Sequence, residues 1–235
     1  MKILLFGRDG QLGQALQHSL APLGEVVALG RAPGPVVDGQ ALCGDVLDAE
    51  GVAQTIGRVR PDVVVNAAAY TAVDRAAQEP ALAWAVNSAA PLAMARAAAA
   101  HGAWLVHYST DYVFDGTGSR PWHEADLPSP RNVYGHSKLA GDDGVRAACP
   151  RHLILRTSWL YSLVRPNFAS AVLRKMTTQD ELQIVADQVG APTSAERVAA
   201  ITVEALRGAV SSSTPMAVGT YHLAAAGETS WFDYA

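Results

Sequence analysis

Lys2-Ile3-Leu4-Leu5-Phe6 runs straight into Gly7-Arg8-Asp9-Gly10-Gln11-Leu12-Gly13, and a helical apolar pattern follows. This order of apolar strand, glycine turn and helix constrains the fold more than any other stretch of the chain. Glycines at 7, 10 and 13 permit a tight turn and let the backbone approach a diphosphate closely. The N-terminus of the following helix offers unpaired N–H groups and a favourable dipole to such an anion. The spacing is G-x-x-G-x-x-G rather than the commoner G-x-G-x-x-G. A plain strand-to-helix turn would use the same glycines. The strand before them, at the head of a β-α series, favours a dinucleotide site formed by Gly7, Gly10, Gln11, Leu12 and Gly13.

Beyond that turn, short apolar runs alternate with longer helical stretches, the pattern of a parallel sheet covered on both faces. Strands are expected at Lys2–Phe6, Glu25–Leu29, 62–66, 104–108 and 153–156, with a weaker one at 183–186. Helices are expected at 12–20, Ala49–Val59, 80–101 and 134–148. The alanine-rich third helix contains Pro91, which marks a restart or kink. The proline-containing segment 116–131 reads as a loop rimming the site. After about Ser158 the rhythm loosens, and Ser211-Ser212-Ser213-Thr214-Pro215 reads as a flexible connector. Tyr221-His222-Leu223 suggests a strand, and Thr229-Ser230-Trp231-Phe232-Asp233-Tyr234-Ala235 a capped helix start, so a further C-terminal segment is expected.

In such a fold the end of the second strand reads the adenosine ribose, about twenty residues after the glycines. Here that place holds Gly30-Arg31 and no acid. A carboxylate would suit the 2′-hydroxyl of NAD, whereas arginine suits the 2′-phosphate of NADP, so Arg31 points to NADPH, with NADH left open. Gly44-Asp45-Val46 is read as the end of a third strand region, with Asp45 accepting from the adenine amino group and Val46 beside it. Asn66-Ala67-Ala68-Ala69 follows the next strand, and its small side chains would let the backbone pass beneath the dinucleotide.

Asn132-Val133-Tyr134-Gly135-His136-Ser137-Lys138 lies on a predicted helix, downstream of Ser109-Thr110-Asp111. Four residues turn a helix by roughly 400°, so Tyr134 and Lys138 share a face one turn apart. An ammonium near a phenol lowers its pKa from about 10, and a tyrosine tuned in this way can exchange a proton with a carbonyl or alcohol oxygen.

Bulk properties narrow the class. The 235 residues hold one large α/β domain, or one domain and a small lobe. A net charge of −4 without a basic cluster argues against nucleic acid as a partner. No apolar run of about 18 residues suggests a membrane span, and the glycine turn comes too early for a signal-peptide core. Cys43 and Cys149 have neither metal nor disulfide-framework spacing, so a reduced, cytoplasmic protein is expected.

Taken together, Gly7–Gly13, Asn66-Ala67-Ala68-Ala69 and Tyr134-x-x-x-Lys138 with a preceding Ser/Thr resemble the extended short-chain dehydrogenase/reductases. Longer strings resemble the dTDP-4-dehydrorhamnose reductase family within them. They are Asn66-Ala67-Ala68-Ala69-Tyr70-Thr71-Ala72-Val73-Asp74, Ser109-Thr110-Asp111-Tyr112-Val113-Phe114-Asp115-Gly116 and Asn132-Val133-Tyr134-Gly135-x-Ser137-Lys138-Leu139. Arg156-Thr157-Ser158-Trp159-Leu160-Tyr161 and Asp187-Gln188-x-Gly190-x-Pro192-Thr193 add to them.

The resemblance implies an α/β, Rossmann-type doubly wound parallel sheet over 1–157. It also implies a smaller, interleaved C-terminal substrate-binding lobe over 158–235 that is incomplete. It further implies NADPH-dependent reduction of the 4-keto group of a dTDP-sugar. By resemblance Tyr134 is the general acid, and Lys138 tunes it and holds the nicotinamide ribose. Thr110 would hydrogen-bond the substrate oxygen, Asp111 would touch substrate, and Thr71, Val73 and Trp159 would line the sugar-nucleotide pocket. Ala67, Ala68, Ala69 and Tyr70 fall to the cofactor. A homodimer is implied, and magnesium for some relatives, although no acidic cluster marks ligands for it.

Two rival classes remain at this point. Dehydratases on this fold need Asp-Glu directly after the threonine, where this chain has Asp111-Tyr112. A non-catalytic NADP-binding subunit, of the kind that regulates methionine adenosyltransferase, would keep the same cofactor fold.

Overall fold

The computed structural model describes residues 1–210 and 218–235. The connector expected at 211–215 lies outside the described residues.

Six parallel strands form the central sheet: β1 (Lys2–Phe6), β2 (Glu25–Leu29), β3 (Val63–Asn66), β4 (Trp104–Thr110), β5 (His152–Thr157) and β6 (Gly219–His222). Their spatial order is β6-β5-β4-β3-β1-β2. The helices are α1 (Gln11–Leu20), α2 (Ala49–Val59), α3 (Pro80–Trp84), α4 (Ala90–Ala100), α5 (Val133–Ala148), α6 (Phe168–Met176), α7 (Ala195–Val210) and the short α8 (Trp231–Tyr234).

Alternation along each strand explains why both faces are covered. Ile3, Leu5, Val63, Val65, Leu153 and Leu155 point to one face, where Leu12, Leu16 and Leu20 of α1 and Val198, Ala199 and Leu206 of α7 close over them. Leu4, Phe6, Val64, Leu105 and Ile154 point to the other, under Val52 and Ile56 of α2, Met94 and Ala98 of α4 and Val145 of α5. Each aliphatic side chain so buried contributes about 1.5–3 kcal/mol relative to exposure.

Chain order reverses beside β1: the chain adds β2 on one side, then β3 on the other. That is the switch point at which crevices open beyond the carboxyl ends of strands. Gly7 sits there with φ +86°. A Cβ on it would stand 2.6 Å from the Ala67 carbonyl carbon and Ala68 nitrogen, so only glycine lets the two loops come this close.

Several expectations are corrected. No strand forms at 183–186, which lies in irregular chain with no partner strand. Gly44-Asp45-Val46 does not end a strand; the stretch before it folds as a two-residue hairpin, Val36–Val37 against Gln40–Ala41, separate from the sheet. The helix expected over 80–101 is interrupted by a π-helical turn at Ala85–Ala89. The cause is Pro91: it has no N–H for the Asn87 carbonyl four residues back, and its ring would crowd that oxygen. Helices α6 and α7 were missed, although Val198, Thr202, Leu206 and Ala209 are buried at helical spacing.

Candidate active site

The glycine turn is anchored to the second strand, where Gly7 N and Arg8 N both donate to the Leu29 carbonyl at 3.0 and 3.1 Å. Helix α1 begins after Gly10 with no side-chain cap, which leaves N–H groups at its start without a protein partner. Gly13 has to be glycine, since a Cβ would overlap the Gly7 carbonyl. The Ala67 N–H bonds the Phe6 carbonyl at 3.0 Å, so the loop after β3 walls the other side. A narrow, uncapped, glycine-lined helix start between two close backbones fits the pyrophosphate of a dinucleotide.

On the far wall, β4 ends in Thr110 and turns through one 3-10 turn, Asp111–Val113. Asn132 caps α5 by accepting from Gly135 N at 2.7 Å. Gly135 packs so tightly on the Tyr112 carbonyl that a Cβ would overlap it. That close approach brings the first turn of α5, and with it Tyr134, onto the end of β4 beside Thr110. Tyr134 is buried, packed with Ala76 and Ala83 and flanked by Tyr70, Val73, Tyr112 and Val133; Tyr112 meets it edge-on at 5.6 Å. The Thr110 hydroxyl also donates to the Asp111 carboxylate at 3.1 Å.

Lys138 lies one turn further on and is almost wholly buried. Its ammonium donates to the Tyr108 carbonyl at 2.6 Å and stands 3.4 Å from His107 Nε2. One more turn along, Asp142 accepts from Ser109 Oγ at 2.8 Å and from Arg156 Nε at 3.4 Å. A row of polar groups thus runs beneath α5, within an otherwise apolar layer.

Burial governs the acidities here. It pushes the Tyr134 phenol well above its ordinary value, while the Thr110 hydrogen bond pulls the other way. The expected lowering by Lys138 does not set the direction here: its ammonium donates to the Tyr108 carbonyl, and burial raises the phenol. Burial lowers Lys138 to about 8, against the opposing attraction of Asp142. It raises Asp111 to about 6, with the Thr110 hydrogen bond opposing.

The other expected residues scatter more. Thr71 is exposed, and Val73 is half-buried in the Tyr134 cluster. The Asp45 carboxylate accepts from Leu47 N at 3.1 Å, capping its own loop, and Val46 packs on the α2 side of the core. Arg31 is exposed at the end of β2. The Gln11 side chain accepts from Ser162 Oγ at 3.1 Å and donates to the Leu160 carbonyl at 3.4 Å, tying α1 to the chain that follows β5. Leu12 is buried in the core, and Ala68 and Ala69 line the open loop after β3. Trp159 stacks on Trp231 at 3.6 Å, its backbone held at φ +46°. Gly190 lies beneath it, where any Cβ would strike the indole.

Sequence reasoning missed Asn87. Fully buried, it accepts from Tyr70 N at 2.9 Å and donates to the Tyr70 carbonyl at 3.0 Å and Ser137 Oγ at 3.1 Å. It clamps the loop after β3 to the helix that carries the tyrosine. Its signal was a polar residue four before a proline inside an apolar helix. Asp142 was also missed, though it follows Tyr134 and Lys138 at the same four-residue interval.

Among the described residues there is no group of three or more His, Cys, Asp or Glu that could hold a metal ion. Nor is any helix of those residues long and apolar enough to cross a membrane.

A doubly wound parallel sheet, a glycine turn at its switch point and Thr110, Tyr134 and Lys138 at the end of β4 and the start of α5 define an extended short-chain dehydrogenase/reductase. The family model described as the RmlD substrate binding domain matches residues 1–235, and the chain belongs to that family. It is 51% identical to the dTDP-4-dehydrorhamnose reductase of Salmonella typhimurium, over all of this chain and 76% of that protein. Among solved structures, the dTDP-4-dehydrorhamnose reductase of Clostridium acetobutylicum aligns with a TM-score of 0.89 at 36% identity, over 100% of this chain and 78% of the other. The same enzyme of Bacillus anthracis, solved with NADP, aligns at 0.87 and 32% identity, over 99% and 78%.

Proposed function

We propose that this chain reduces the 4-keto group of dTDP-4-dehydro-β-L-rhamnose to give dTDP-L-rhamnose with NADPH, the last step of dTDP-rhamnose biosynthesis. The observation that carries the reading is that Thr110 ends β4 beside the first turn of α5, which bears Tyr134 and, one turn on, the buried Lys138, in a chain whose α1 starts uncapped after a glycine turn. A bound reduced nicotinamide supplies the hydride. Tyr134, held protonated by burial, is in the form needed to give a proton to the carbonyl oxygen as charge grows there. Thr110, turning its single hydroxyl proton from the Asp111 carboxylate to the substrate, donates a second hydrogen bond to the same oxygen and localises the developing charge. Lys138 provides positive charge one turn below and the donor for the nicotinamide ribose.

Asp111, half-buried beside Thr110, is assigned to accept from a sugar hydroxyl. Thr71, Val73 and Trp159 are assigned to the sugar-nucleotide pocket, and Ala67, Ala68, Ala69 and Tyr70 to the cofactor wall. The reading also carries a cytoplasmic setting and a homodimer, the latter testable by sedimentation.

The deciding experiment follows loss of NADPH absorbance with dTDP-4-dehydro-β-L-rhamnose. Tyr134→Phe should lower kcat by roughly 10² to 10⁴ while NADPH still binds. Tight NADPH binding without turnover, both in this chain and in one extended to the length of its relatives, would overturn the reading in favour of a binding subunit.

A further inference from the structure

The end of β2 lacks the acid that would read an adenosine ribose, yet the space is not empty. A Cβ built on Gly30 would overlap a carboxylate oxygen of Asp9, with Asp9 Cγ 3.0 Å and Arg8 Nε 3.3 Å away. Asp9 arrives there from the glycine turn, which the two hydrogen bonds to the Leu29 carbonyl pin against this strand end. Arg8 steadies it: Nε lies 3.5 Å from Asp9 Oδ1, while Nη1 donates to the Ala28 carbonyl at 3.3 Å. The Asp9 side chain is still 63% exposed and open to a ligand. Gly30 is what makes this room.

We propose that Asp9 supplies, from the glycine turn, the carboxylate that the second strand lacks, and that it sets the choice between NADH and NADPH. A carboxylate at this place accepts hydrogen bonds from a free ribose 2′-hydroxyl and repels a 2′-phosphate. Arg31, exposed one residue beyond Gly30 and making no salt bridge among the described residues, exerts the opposite pull. The balance between Asp9 and Arg31 fixes the cofactor ratio. The inference rests on the dinucleotide reading above.

The test is equilibrium binding of NADH and of NADPH, each titrated by fluorescence, to the unaltered protein and to Asp9→Asn, Asp9→Ala, Arg31→Ala and the double variant Asp9→Ala with Gly30→Asp. Asp9 is exposed, so these variants should fold, which melting curves check. Both single Asp9 variants should shift the ratio of dissociation constants toward NADPH by about tenfold or more, the size expected for a lost charged hydrogen bond. Arg31→Ala should shift it toward NADH, and Gly30→Asp in the Asp9→Ala background should restore NADH binding. Both dinucleotides binding with an unchanged ratio in the Asp9 variants would overturn the role of Asp9 alone. Neither dinucleotide binding to the unaltered protein would overturn the functional reading and this inference with it.

Discussion

A phenol taken out of water keeps its proton, and a carboxylic acid does the same; Tyr134 and Asp111 sit close together under that rule. For a reductase this is the useful direction at Tyr134, since a proton donor must arrive protonated. At Asp111 it has a consequence for stability. Its folded pKa of about 6 lies above the ordinary 3.8, so the fold binds this proton more tightly than the unfolded chain does. The contribution is present at low pH and is lost as pH rises through about 6. Asp111→Asn should therefore raise the melting temperature by a few degrees above pH 6 and leave it unchanged near pH 4. The same variant should raise KM for the sugar nucleotide, if the carboxylate accepts from it. Lys138 behaves in the opposite sense. With its pKa lowered to about 8, turnover should fall as pH rises through 8, and Asp142→Asn should move that limb to lower pH, because Asp142 holds the ammonium charged.

Helix α5 has a rigid register because its neighbours leave it no alternative. A Cβ on Gly141 would overlap the Asn87 carbonyl, the very oxygen that Pro91 leaves without a helical donor. Gly141→Ala should thus push α5 away from the π-helical turn, costing about 1–3 kcal/mol of stability, and lower kcat more than a surface helix substitution would. Denaturant midpoints and steady-state rates check both. The strands that could be read from sequence were those buried on both faces, such as Val63-Val64-Val65, where an unbroken apolar run has no other explanation. Helix α4 could be read but its irregular start could not, because the π-helical turn answers to Pro91 and to a partner 50 residues away, Ser137 on α5. Within the site, the Tyr134–Lys138 interval was legible as helix geometry. The acidity of Tyr134 was not, since it depends on burial and on which acceptor takes the ammonium. Asp9 was invisible for a similar reason: only the folded turn sets it over Gly30.

Across the molecule, the segment 116–131 is held by β6, an edge strand of the sheet. Glu124 accepts from the His222 N–H at 2.8 Å, the Trp122 carbonyl faces His222 Nδ1 at 3.1 Å, and Trp122 stacks flat on Phe114 at 4.7 Å. Residues contributed late in the chain therefore hold a loop that lies between β4 and α5. Glu124→Ala should speed proteolytic cleavage within 116–126 severalfold and raise KM with a smaller change in kcat, as expected if the rim positions substrate without entering the chemistry.

The Trp159–Trp231 stack joins the chain just after β5 to the start of α8, with planes only 14° apart. Two indoles in van der Waals contact do not absorb independently; their transition dipoles couple, and the coupling depends steeply on separation and angle. This pair therefore writes an exciton signal into the circular dichroism of the intact protein, which replacing either tryptophan would abolish. The protein carries its own optical gauge of how α8 sits on Trp159, readable without any label.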